Sequence, residues 1–181
     1  MSDEEIEGRN FVLEGNFSPD WKTHWTHNEK GTVAINQDAL GSYLLMNQKA
    51  MVTQLFDTTV FTERQMEGAT YKIAFRYENL GGGADAGVLI RTSTGKEHWI
   101  NLSGITPEMP LANWNDYPSY SIDSVVADDK NITLELQAPD VTGSSGLCIT
   151  DIEVQLHLVP LQLKSIQIDD RVYETSTSIN A

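Results

Sequence analysis

Between Gly146 and Leu158 the chain reads GLCITDIEVQLHL, and from Ile152 onward apolar and polar residues alternate without a break. Ile152, Val154, Leu156 and Leu158 fall on one side, Glu153, Gln155 and His157 on the other. Period two is the signature of a half-buried strand. Upstream, Leu147 and Ile149 occupy odd positions, so the inward phase flips around Thr150 and Asp151. A one-residue slip turns every side chain to the opposite face, so the pattern predicts a bulge or kink there. An acidic residue at such a break can be aimed inward, where it needs a cation or backbone donors as a partner.

The same pattern recurs along the chain. Tyr71, Ile73, Phe75 and Tyr77 share one face of YKIAFRY, with Lys72, Ala74 and Arg76 on the other. AMVTQLF alternates through Met51, Thr53 and Leu55, and ITLEL alternates cleanly. Further strands are predicted at Asn10 to Phe17 (ending in a Gly-Asn turn), in GTVAI and GSYLLMN around a turn at Asn36-Gln37-Asp38, in AGVLIR and HWINL around Ser93-Thr94-Gly95-Lys96, and over Ser119 to Val126. Phe61 to Ala69 fits one helical turn or a turn-rich loop. Ser103 to Pro118 reads as a long loop of the functional or covering kind. About ten short strands with no confident helix predict an all-β, two-sheet antiparallel sandwich or barrel. The boundaries fall at 1–9, a mobile acidic leader; at 10–160, the sandwich; and at 161–181, an extra edge strand or the start of a further domain.

Charge narrows the partners. Twelve basic against 26 acidic residues give a formal charge of -14 over 181 residues. Such a surface repels phosphate backbones and anionic membranes, so neither nucleic acid nor membrane insertion is expected. No run of residues approaches membrane-spanning length. The lone Cys148 reads as a small buried hydrophobe. The N-terminus, MSDEEIEGRN, lacks the apolar run of a signal peptide. That fits a cytosolic chain, one exported by another route, or a piece of a larger protein.

The order of several fragments is similar to that of jelly-roll carbohydrate-binding modules of the galactose-binding-like superfamily. FVLEGNFSPDWKTHW resembles their "LLxNGDFE…W" opening, GSYLLMN their "GSYALRL", AMVTQLF their "VSQ" strand, and GATYKIAFRYENL their "GTTYTLSFWARA". WNDYPSYSID is similar to "W-x-x-YS(V)TF" and GLCITDIEVQL to the terminal "VYIDDVSL". The resemblance covers Asn10 to Leu158 and implies a jelly-roll β-sandwich. It is far less specific for function. It also implies one structural calcium between the first and last strands. Asp151 matches the acidic residue of the last strand, but Gly15-Asn16-Phe17-Ser18 replaces both acidic positions of the first. The ligand set would then be Asp151, Asn16 and backbone carbonyls, with Glu14 as an extra; a hydrogen-bonded Asp151 is the alternative.

Sugar recognition needs flat apolar surface for pyranose faces and planar polar groups for hydroxyls. By strand alternation Arg76, Arg91, Trp99 and Asn101 point away from the face of Ile73, Phe75, Val88, Ile90 and Ile100. If their strands are neighbours they form a platform; otherwise they are a solvated sheet face with a snorkelling tryptophan. The arginines on so acidic a chain suggest an acidic sugar or a partner's carboxylate. Trp21, in a polar loop, is a second exposed-aromatic candidate, whereas Trp25 and Trp114 match structural positions of the family. His24 and His27 lack a third ligand at zinc-site spacing, and no nucleophile or phosphate-loop motif is present. Asp128-Asp129 and Asp169-Asp170 fall in predicted turns. The expectation is therefore a non-catalytic module for oligo- or polysaccharide. A protein-docking domain of a larger toxin, adhesin or secreted protein is the alternative, and a polysaccharide-cleaving enzyme a third.

Overall fold

The computed structural model describes residues 2–38, 41–57, 69–80, 84–92, 95–103, 119–126, 131–142, 146–158, 166–168 and 171–173. Its strands are β1 (Thr26–His27), β2 (Thr32–Asp38), β3 (Gly41–Asn47), β4 (Met51–Asp57), β5 (Thr70–Asn79) and β6 (Gly87–Thr92). They continue with β7 (Glu97–Asn101), β8 (Ser119–Val126), β9 (Asn131–Gln137), β10 (Leu147–His157), β11 (Ile166–Ile168) and β12 (Arg171–Tyr173). One sheet runs β2-β3-β10-β5-β8 and the other β1-β4-β9-β6-β7, with every neighbouring pair antiparallel. This is the expected two-sheet antiparallel sandwich.

The alternating apolar residues meet between the sheets. Leu44, Met46, Ile73, Phe75 and Leu156 come from the first, Val52, Val88, Ile100, Leu134 and Leu136 from the second, all nearly inaccessible to solvent. Each such burial contributes about 1.5–3 kcal/mol relative to exposure, which is why the period-two pattern dictates which face turns inward. In β4 the inward phase is Val52, Gln54 and Phe56, while Met51, Thr53 and Leu55 face out.

The phase flip in β10 is a β-bulge. Thr150 pairs with Arg76 and Glu153 with Ala74, so Asp151 and Ile152 together stand opposite the single residue Phe75. Asp151 takes a left-handed backbone, φ 49°. Aspartate tolerates that region better than branched or bulky residues do. Its side chain, however, is half-exposed rather than turned inward, while Ile152 next to it is buried.

Several expectations need correction. The acidic leader is docked: Ser2 and Glu5 form a capping box on helix α1 (Asp3–Ile6), and Ile6 is completely buried in the core. Glu7 then accepts from the backbone N–H of Leu158 (2.8 Å) and pairs with His157 (2.6 Å). Asn10 to Phe17 is not a regular strand; it forms one bridge, Asn10 to Gln155, and bonds by other means to both sheets. Phe11 N–H donates to Val154 O (2.8 Å), and the Gln54 side chain both donates to and accepts from the backbone of Leu13 at 2.9 Å. The ladder between β2 and β3 runs on to Asp38 opposite Gly41, so Asn36-Gln37-Asp38 is strand and not turn. In the tail, among the described residues, β11 and β12 pair with each other as a two-stranded sheet. The segment 61–68, residues 104–118 of the predicted long loop with Trp114 and Tyr117, and the acidic pairs Asp128-Asp129 and Asp169-Asp170 lie outside the described residues.

Candidate functional site

The outer face of the β1-β4-β9-β6-β7 sheet carries the candidate site. Register across β7, β6 and β9 sets Trp99 beside Leu89 and Glu135, Glu97 beside Arg91 and Thr133, and Asn101 beside Gly87 and Gln137. The Trp99 indole lies over Gly87: a Cβ there would fall on Cζ2 and Cη2 of the ring. Glycine inside a strand marks such a close approach. With one face seated on the sheet, the indole remains 40% exposed. It borders a cleft of about 670 Å³ that Lys30, Lys49, Asp85, Leu89, Arg91 and Gln137 also line.

Polar groups beside the ring are held in place. Arg91 Nε donates to Glu97 Oε1 at 2.7 Å across the β6–β7 ladder. Gln137 donates its side-chain N–H to the Glu135 carboxylate, and Glu135 is almost wholly buried on this outer face. A carboxylate accepts and cannot donate, so it fixes the amide with nitrogen towards Glu135 and leaves the carbonyl oxygen of Gln137 for the cleft. Asn101 accepts from the backbone N–H of Ser103 through Oδ1 (2.9 Å), which leaves its amide hydrogens free of that bond. Lys49 pairs with Asp140 at 3.0 Å.

Of the predicted binding residues, Trp99, Arg91 and Asn101 come together here. Arg76 does not: β5 lies in the opposite sheet, so the four-residue platform does not exist. Trp21 is also corrected, because it is buried in the 3₁₀ turn Trp21–Thr23, edge-on to Phe17 at 6.0 Å and under the Lys22 ammonium at 5.7 Å. A tryptophan with no open face cannot stack on a ligand. Trp25 is core, as expected, with Nε1 donating to Leu13 O (2.8 Å). Gln137, Glu135 and Gly87 were not anticipated, although a glycine inside AGVLIR, one hairpin away from Trp99, was a legible signal.

Asp151, Asn16, Glu14 and Arg76 line a separate pocket of about 510 Å³ on the other sheet, together with Gly15 and Glu153. This donor set does not fit calcium. The Asp151 carboxylate is engaged by the Arg76 guanidinium at 2.7 Å, and Glu14 accepts from the Ser18 hydroxyl. A guanidinium at this distance competes directly with a divalent ion for the same oxygens. Among the described residues no three His, Cys, Asp or Glu side chains converge as metal ligands, His24 and His27 included. Cys148 is buried, and desolvation, followed by the nearby Glu78 charge, pushes its thiol up to about 12. No helix among the described residues is long and apolar enough to cross a membrane.

No family model matches the chain, and no curated protein matches it in sequence. Solved structures share its architecture. The enzymatically active domain of tailspike protein 4 from bacteriophage CBA120 superposes with a TM-score of 0.55 at 16% identity, over 82% of this chain and 21% of that one. TmCBM61, solved in complex with β-1,4-galactotriose, superposes with a TM-score of 0.50 at 12% identity, over 84% of this chain and 100% of that one. The C-terminal family 22 carbohydrate-binding module of Clostridium thermocellum Xyn10B gives 0.44 at 12% identity, over 73% and 85% of the two chains. The chain thus spans about a fifth of the tailspike chain and the full length of the TmCBM61 module. What is shared at these identities is the fold, a two-sheet antiparallel jelly-roll β-sandwich.

Proposed function

We propose that the chain is a non-catalytic carbohydrate-binding module whose site is the Trp99 cleft. The observation that carries this reading is the indole seated on Gly87 with its other face open to a cleft of about 670 Å³. Such a ring offers a large flat apolar surface to the apolar face of a pyranose. The Gln137 carbonyl, the Asn101 amide and the Arg91 guanidinium are the partners for sugar hydroxyls around the ring. The fold shared with TmCBM61, solved with a galactotriose, is consistent with this use of the scaffold. Lys49 and Arg91 already pair with Asp140 and Glu97, so recognition of an acidic sugar would rest chiefly on Lys30 at the cleft rim.

The test is tryptophan fluorescence and calorimetric titration against β-1,4-galactotriose, xylohexaose and an oligogalacturonate. One of these binds to the wild type and not to Trp99→Ala if the reading holds. Equal binding by Trp99→Ala, or silence across the panel with the fold intact, would sink it. A second reading, a protein-docking domain, is favoured by Leu13 and Leu55, which are 53% and 65% exposed and line a groove of about 290 Å³ with Phe11 and Phe56. Concentration-dependent mass that Leu55→Ser abolishes would support that alternative.

A further inference from the structure

We infer that Arg76 supplies from within the chain the positive charge that clamps the β10 bulge, and that this clamp works without a divalent cation. The geometry begins with the bulge itself. Because Asp151 and Ile152 share one opposing residue, neither completes a regular ladder with β5. Ile152 N–H turns instead to Gly15 O, at 3.1 Å. Gly15 packs so closely that a Cβ would land on Ile152 O, so the N-terminal turn is seated directly on the bulge. Asp151, forced into the left-handed region, projects its carboxylate on the outer face.

There it meets Arg76, whose Cα partner is Thr150, one residue before Asp151. The guanidinium contacts the carboxylate at 2.7 Å, in a pocket whose other acids are Glu14 and Glu153. A single cation among three carboxylates offsets their mutual repulsion at the place where the first segment of the domain meets its last strand. Arginine suits this position because its charge persists at every accessible pH and its planar fork matches a carboxylate. The charge that a bound metal would deliver to the first and last segments is therefore already part of β5. The inference is independent of any sugar at Trp99, which lies on the other sheet.

The experiment is thermal unfolding of the wild type, Arg76→Gln, Asp151→Asn and the double variant, each in EDTA and in millimolar calcium chloride. The wild type is expected to melt at the same temperature in both. Each single substitution lowers that temperature by about 2–4 °C, the shift that roughly 1 kcal/mol produces at this chain length. The double variant melts no lower than the weaker single, because both changes remove one contact. A calcium-dependent rise in the wild type overturns the proposal, as does simple additivity in the double variant. Should Arg76→Gln fail to fold, Arg76→Lys keeps the charge without the fork. Its melting must then fall below wild type and stay indifferent to calcium; a calcium-dependent rise, or a wild-type melting temperature, counts against the clamp.

Discussion

The indole of Trp99 rests on Gly87, across the β6–β7 ladder and two pairs along from its own partner, Leu89. Gly87 has ordinary backbone geometry for an L-residue, since it is not among the positive-φ glycines. Alanine would therefore be excluded by what its Cβ meets, the Trp99 ring and the backbone carbonyl of Ile100. Gly87→Ala is expected to lift the indole off the sheet at a cost of about 1–3 kcal/mol, the range for overpacking. A changed near-UV circular dichroism signal with unchanged far-UV signal, and weakened sugar binding, are the outcomes to look for.

Removing the ring and removing its polar neighbour should differ. Trp99→Ala abolishes the stacking surface and lowers sugar affinity by at least tenfold while costing little stability, since much of the ring already faces solvent. Gln137→Leu removes one acceptor and should cost about 0.5–1.5 kcal/mol of binding. Glu135→Gln tests the positioning role, because an amide at 135 no longer dictates which way the Gln137 amide points. It should weaken binding less than Gln137→Leu does. Titration of all three against the sugar that binds the wild type orders them.

Cys148 makes the fold sensitive to alkali. Its thiol ordinarily loses its proton near 9.0, and burial holds the folded-state value up at about 12. The folded chain therefore binds more protons than the unfolded chain between those values. Stability from this group is fully present below pH 9 and is lost as pH rises towards 12, on the order of 4 kcal/mol in all. Denaturant unfolding across that window should show the loss, and Cys148→Ala should flatten it. A thiol reagent should likewise react with Cys148 only after unfolding.

The leader contributes to stability through one residue. Ile6 is completely buried in the main core, although α1 is a single turn. Ile6→Ala is expected to destabilise by about 2–4 kcal/mol, as for other large-to-small core changes. A mobile leader would give no effect, so chemical denaturation of this one variant separates the two pictures.

The elements that were legible are those where one face of a strand is buried and the next is not. In β5 and β10 alternation named the inward residues and even the bulge, because a bulge leaves a phase error in the pattern itself. Residues 10–17 and the leader were misread for a related reason. Their anchoring runs through single contacts, the Gln54 amide on Leu13 and Ile6 in the core, which have no period. Trp21 was misread because a polar loop can fold its large apolar side chains back onto a near neighbour in sequence, here both Trp21 and Trp25 onto Phe17.

By itself the sequence determined that this chain is all-β, which residues of strands such as β5 and β10 turn inward, and that Arg76, Arg91, Trp99 and Asn101 turn outward; in β4 it did not decide which phase is buried. Alternation is a local property, carried by each strand alone. Only the tertiary structure decided that β5 belongs to one sheet and β6–β7 to the other. Strand order arises from pairing between residues far apart in the chain, and no local pattern encodes it. That order separated Arg76 from Trp99, set Arg76 against Asp151, and placed Gln137 and Glu135 beside the indole.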